Sequence, residues 1–152
     1  GARCAAAHDN LGVIALRQKN VKQAIAHFER AVEAAPRFAQ AREHLADARL
    51  RLGDEAGALA VYREAIAAIP EMPQLRNNLA VTLSQIGRVD EAIGELREAA
   101  RLFPDFAPTY KNLGALLARK GELEEARRAL REALRLDPAE REAAAVLGQI
   151  GG

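Results

Sequence analysis

The chain has 152 residues, 49% of them hydrophobic but only 4% aromatic, no tryptophan, and a formal net charge of +1 with the two signs interspersed. A composition led by Ala, Leu, Glu and Arg favours helix, because these side chains lose little rotamer freedom there. It excludes several classes: there is no strand-length β-branched run, no like-charge block of the kind that marks a nucleic-acid tail, and no apolar run near the ~20 residues of a membrane span. The single cysteine, Cys4, excludes an internal disulfide. No hydrophobic segment precedes it in "GARC", so it reads as a truncation or tag junction and not as a lipidated cysteine.

Pro36, Pro70, Pro104 and Pro138 recur at a constant interval of 34 residues, a period that signals a stacked array. With each proline at position 32, the units are residues 5–38, 39–72, 73–106 and 107–140, and 141–150 form a partial repeat or capping helix. Each unit predicts helix A over positions 2–14, a tight turn, and helix B over positions 17–30. In the first unit these are 6–18 and 21–34. Lys19 stands at its turn position 15, so Asn20 is the expected left-handed residue. The second unit predicts helices over 40–52 and 55–68, the third over 74–86 and 89–102, the fourth over 108–120 and 123–136. Their turns carry Gly53, Gly87 and Gly121, which can take the left-handed conformation that ends a helix. The final "REAAAVLGQI" keeps the repeat pattern. Ala145, Val146, Leu147 and Ile150 are therefore expected to form a partly apolar outer helix, and the natural polypeptide to continue past Gly152.

The columns agree across units. Position 7 is Leu11, Leu45, Leu79 and Leu113; position 8 is Gly12, Ala46, Ala80 and Gly114. Position 20 is Ala24, Ala58, Ala92 and Ala126; position 27 is Ala31, Ala65, Ala99 and Ala133; position 24 is Phe28, Tyr62, Leu96 and Leu130. Small residues at positions 8, 20 and 27 let antiparallel helices approach closely, and the larger residues of positions 7 and 24 fill the space between them. Proline at position 32 cannot continue helix B. This set at this spacing, four times in register, resembles the tetratricopeptide repeat. Position 4 departs from the family's frequent Trp (His8, Arg42, Arg76, Tyr110), and position 11 from its frequent Tyr (Ala15, Arg49, Leu83, Leu117). The resemblance implies one all-α domain over residues 1–152, a right-handed α-solenoid, or superhelix, of stacked helix-turn-helix repeats. Its A helices would line a concave groove.

On a helix whose positions 7 and 8 face its partner, positions 2, 5, 6, 9, 12 and 13 can face that groove. Position 6 reads Asn10, His44, Asn78 and Asn112. An Asn amide both donates and accepts, so such a column can bond an extended peptide's backbone. By resemblance to the sugar transferase that modifies Ser and Thr and uses an asparagine ladder on similar repeats, Asn10, Asn78 and Asn112 are candidate peptide contacts, with His44 a break. Position 5 gives Asp9, Glu43, Asn77 and Lys111, position 9 gives Val13, Asp47, Val81 and Ala115, and position 13 gives Arg17, Arg51, Gln85 and Arg119. The groove is expected to be acidic toward the first two units, with a basic row near the A-helix C-termini. Helix dipoles favour cations there by a few tenths of a kcal/mol, roughly, whatever binds. The family's carboxylate clamp wants lysine at position 5 and asparagine at position 9 of one unit; no run of three units supplies the full set, and that reading is rejected.

No catalytic constellation stands out. His8, His27 and His44 fall on separate helices without Cys or paired carboxylates at ligand spacing, and no Gly-rich phosphate loop occurs. The expectation is a non-enzymatic protein-interaction scaffold without cofactor or metal, binding a protein or peptide segment, with no nucleic-acid partner and no direct membrane insertion. Two alternatives are a self-assembling module joined through exposed repeat ends, and the docking or regulatory region of a larger enzyme such as a glycosyltransferase. Composition suggests a high-GC bacterial source and a soluble protein of cytoplasm or periplasm.

Overall fold

The computed structural model describes residues 1–151. Among the described residues there are nine α-helices and no strand: α1 (Ala2–Arg17), α2 (Val21–Ala34), α3 (Ala39–Arg51), α4 (Glu55–Ala68), α5 (Pro73–Gln85), α6 (Val89–Leu102), α7 (Ala107–Lys120), α8 (Leu123–Leu136) and α9 (Arg141–Gln149). Helix B of each unit begins and ends where the spacing predicts. Helices α3 and α5 begin and end one residue early, α7 begins one residue early, and α1 runs back to Ala2. The chain divides into two compact units, Gly1–Leu75 and Arg76–Gly152.

The tight turns have one conformation. Gly53, Gly87 and Gly121 take φ of +83°, +85° and +86°. The first turn corrects the sequence expectation: Lys19 itself is left-handed at φ +61°, and Asn20 is not, at φ −94°. The turn demands its left-handed residue at position 15 whatever side chain stands there. Asn20 instead caps α2, its side-chain Oδ1 accepting the Gln23 backbone N–H at 3.2 Å. Asp54 does the same for α4 through the Gly57 N–H at 2.9 Å.

In Gly1–Leu75, Ala24, Phe28 and Ala31 of α2 are fully buried against α1. Gly12 is the point of closest approach: a Cβ there would stand 2.4 Å from Phe28 Cε1. Ala46 on α3, and Ala58, Ala65 and Tyr62 on α4, repeat the arrangement, and a cluster of Ala65, Ile69 and Leu75 closes the unit with Met72 and Ile66 around it. Leu11 is the exception in its column, 44% exposed where Leu45 is 5%. Leu45 belongs to α3, which packs against α2, the helix that precedes its own pair, whereas no helix precedes α1 among the described residues.

In Arg76–Gly152, Leu79, Leu83, Leu96, Leu117 and Leu130 are buried. Gly114 faces Leu130 so closely that a Cβ would lie 2.5 Å from its Cγ. A cluster of Leu130, Ala133 and Ala143 gathers Val146, Leu147 and Ile150 of the last helix and its end. This corrects the expectation of an apolar outer face: those three side chains turn inward and are half-buried, while Ala144 and Ala145 are exposed. The departures at position 4 have a use. Arg42 Nε donates to the Pro36 carbonyl at 2.8 Å, and the Tyr110 hydroxyl to the Pro104 carbonyl at 2.9 Å. Each side chain satisfies the carbonyl of the position-32 proline in the loop between helix pairs.

Two glycines test the close-approach constraint. Gly94 lies inside α6, and a methyl group added there would meet nothing within 4 Å, so Gly94→Ala is expected to stabilise by about 0.5–1 kcal/mol. Gly114→Leu is expected to destabilise by about 1–3 kcal/mol through overpacking. Urea unfolding of the two variants reads both effects; a stable Gly114→Leu chain would remove the constraint.

Candidate functional site

The A helices carry the candidate residues, and the two compact units hold them in parallel ways. In the first, Asp9 of α1 is 2% exposed. Its carboxylate meets His44 Nδ1 at 2.8 Å and accepts from Gln40 Nε2 at 3.2 Å, both from α3. In the second, Asn77 of α5 is 4% exposed. Its Nδ2 donates to the buried Thr109 hydroxyl at 2.8 Å, and its Oδ1 accepts from Asn112 Nδ2 at 3.2 Å. Asp9 and Asn77, both at position 5, therefore lie between consecutive A helices and not on the groove.

These contacts correct three expectations. Asn77 is a buried strut beneath Asn112. Asp9 is buried inside the α1–α3 contact, bonded to His44 and Gln40. Lys111 is no free groove cation, because its ammonium lies 3.2 Å from Glu142 and 3.8 Å from Glu140. Asp9 and Asn77 reach residues two, three or six places into the next A helix, so burial consumes their side chains. His44 is held between Asp9 and the Phe28 ring, whose centroid is 5.3 Å from its own. The remaining candidates stay accessible. Asn10, Arg17, Asp47, Arg51 and Arg119 are exposed; Glu43, Asn78 and Asn112 are half-buried. Arg51 and Asp47 are bonded to each other, Nε to Oδ2 at 2.8 Å.

In the second unit a depression of about 220 Å³ opens between α5 and α7. Val81, Ala115 and Leu116 give it an apolar wall, fully buried Leu96 of α6 also lines it, and Ser84, Asn112 and Arg119 supply polar groups. Sequence reasoning did not name Ser84, Leu116 or Thr109. Thr109 left a signal: it stands at position 3, where the other units have Ala7, Ala41 and Leu75, and a lone hydroxyl in an apolar column points to a buried partner. At the end of α7 the cations differ. Lys120 is bound by Asp90 and Glu122, each at 2.8 Å, and these bonds hold its ammonium up at about 12. Burial, with Glu132 and Asp105 nearby, pushes the Tyr110 phenol up. His8 and His27, on α1 and α2, face each other with Nδ1 atoms 3.3 Å apart. Among the described residues no group of three or more His, Cys, Asp or Glu stands close enough to hold a metal ion.

Models of the tetratricopeptide repeat match residues 2–37 and 10–73, and again 49–117 and 87–150. The chain belongs to the tetratricopeptide-repeat family. Its fold is accordingly the all-α solenoid class of helix-turn-helix repeats, and such proteins are typically non-catalytic scaffolds for protein interaction. Similar solved structures include Pseudomonas aeruginosa pilF, at 25% identity over 97% of this chain and 68% of that one, with a TM-score of 0.76. MamA from Desulfovibrio magneticus RS-1 is 21% identical over 96% of this chain and 82% of its own, with a TM-score of 0.71. YrrB, a TPR protein with an unusual peptide-binding site, is 23% identical over 93% and 73%, with a TM-score of 0.69. No curated protein matches the sequence. Among the described residues, no helix of this tetratricopeptide-repeat protein is long and apolar enough to cross a membrane.

The Asn77–Thr109 bond carries a measurable load. Thr109→Val keeps the shape and leaves the buried Asn77 amide without that acceptor, so stability is expected to fall by about 1–3 kcal/mol. Arg119→Ala, at an exposed side chain, is expected to change it little. Equal urea midpoints for all three chains would show the buried bond to be idle.

Proposed function

We propose that the chain is a non-catalytic interaction module that holds a partner's peptide segment along the exposed faces of its A helices. One observation carries this reading: Val81 is 41% exposed beside Asn112 and Arg119 around the α5–α7 depression, which puts an apolar surface, an amide and a guanidinium together on one accessible face. Asn112 spends one N–H on Asn77 and keeps a second N–H and its oxygen, enough to donate to and accept from a peptide backbone. In the first unit Asn10, Arg17, Glu43, His44, Asp47 and Arg51 are the proposed contacts; in the second, Asn78, Asn112 and Arg119. Peptide binding by YrrB, a member of the same family, supports the reading.

The test uses the chain as bait in lysate, beside a variant with Asn10, Asn78 and Asn112 all changed to Ala, followed by calorimetry on each recovered partner. A partner held by the natural chain and bound at least about tenfold more weakly by the variant, ~1.4 kcal/mol, is the expected result. Partners bound equally by both chains would overturn the groove reading.

A second reading, self-association, draws on Leu11 and Ile14, 44% and 48% exposed on one helix. Exposed apolar patches of this kind mark contact surfaces. It predicts a molar mass by light scattering that rises with concentration and returns to the monomer in Leu11→Asp. A constant monomeric mass removes it.

A further inference from the structure

The A helices treat the arginine of position 13 differently, according to the residue at position 9: Asp47 pairs with Arg51, whereas Val13 and Ala115 leave Arg17 and Arg119 without a carboxylate one turn earlier. In the first unit Arg51 is neutralised from within: Asp47, one turn earlier at position 9, holds its Nε at 2.8 Å. On α7, in the second unit, position 9 is Ala115, and Arg119 has no such partner. Its polar contact is the Ser84 hydroxyl, 3.4 Å from Nη1, and among the described residues no carboxylate lies within ion-pair distance of it. Glu142 lines the same depression, but its carboxylate is engaged by Lys111 at 3.2 Å. The next cation, Lys120, is taken by Asp90 and Glu122. So Arg119 is a guanidinium with unused donors at the edge of a pocket walled by Val81, Ala115 and Leu116. A guanidinium offers five N–H donors in a fixed fork that matches a carboxylate.

We propose that the α5–α7 depression takes an aliphatic side chain of a partner segment while Arg119 binds an acidic side chain two residues away on the same segment. The inference rests on the groove reading and names its ligand. The acid takes the place relative to Arg119 that Asp47 holds relative to Arg51. The spacing follows from an extended peptide, in which residues i and i+2 point to one face. Asn112 beside the pocket reads the backbone between them, which favours a segment running through the site over a chain end.

The probes are acetyl-Ser-Leu-Ser-Asp-Ser-amide and its reversed order, Asp-Ser-Leu. Controls carry Asn for the Asp, or Ser for the Leu, and a further peptide ends in a free carboxylate two residues after its Leu. Binding is read from the NMR amide shifts of Val81, Asn112, Ala115, Leu116 and Arg119. One of the two acidic orders is expected to bind about tenfold more tightly than its Asn control, equivalent to ~1.4 kcal/mol. Arg119→Ala and Ala115→Asp should each erase that advantage, the second without removing the arginine. Equal binding of Asp and Asn peptides at these amides overturns the inference and leaves the groove reading standing. Tightest binding by the free C-terminus overturns the assignment of the acid to a side chain. No shift at these amides with any peptide overturns this inference and removes the depression from the groove reading, which the Asn10, Asn78 and Asn112 variant then tests by itself.

Discussion

A small residue at position 8 lets paired helices approach closely, and in the first and fourth pairs, at Gly12 and Gly114, the approach leaves no room even for a Cβ. A Cβ at either place would enter Phe28 or Leu130, so helix A rests on the flank of the large position-24 residue of helix B. The alanines of positions 20 and 27 are fully buried for the same reason. Each contributes little apolar area alone. Their role is to let one large residue per pair, worth about 1.5–3 kcal/mol when buried, be enclosed from all sides. Stability in such an array accumulates pair by pair and does not collect in one centre.

Close pairing also fixes how consecutive A helices meet, and there the structure uses polar links at a constant offset. His44 with Asp9, Asn112 with Asn77, and Arg119 with Ser84 are each 35 residues apart, one repeat plus one. Two of these links involve a partner exposed by 4% or less, where an unsatisfied group would be costly and a satisfied one resists slippage along the helices. The links explain why the groove is narrower in chemistry than the sequence suggests. Asp9, His44 and Asn77 are spent on the scaffold, and Asn112 in part.

The proline interval, the glycine turns and the alanine columns made the helices legible almost to the residue, because each reports a local constraint that repeats. Three things were not legible. Lys19 occupies a left-handed turn that propensity assigns to its neighbour, since the turn's geometry outranks one side chain's preference. Leu11 has the same identity as Leu45, yet its environment depends on a preceding helix that a column cannot show. Asn77 and Asn78 stand side by side, and helical periodicity alone cannot decide which of two neighbours meets the adjacent helix. Thr109 could have decided it, as the polar residue in an apolar column that marks a buried acceptor.

Recognition is separable from folding in this arrangement. Position 9 lies off the packed face: Asp47 is exposed and Ala115 half-buried, and neither belongs to the close contact between helices A and B. That one position determines whether the arginine a turn later is consumed by its own helix, as Arg51 is, or left open, as Arg119 is. An exposed i,i+4 pair is worth only about 0.3–0.5 kcal/mol to the fold, so exchanging Asp for Ala there costs the scaffold almost nothing. The same exchange changes the groove's charge by a full unit at the mouth of an apolar pocket. Repeats with one core can thus present different surfaces, and under the proposed reading the residues that differ between equivalent positions, more than those that recur, would select the partner.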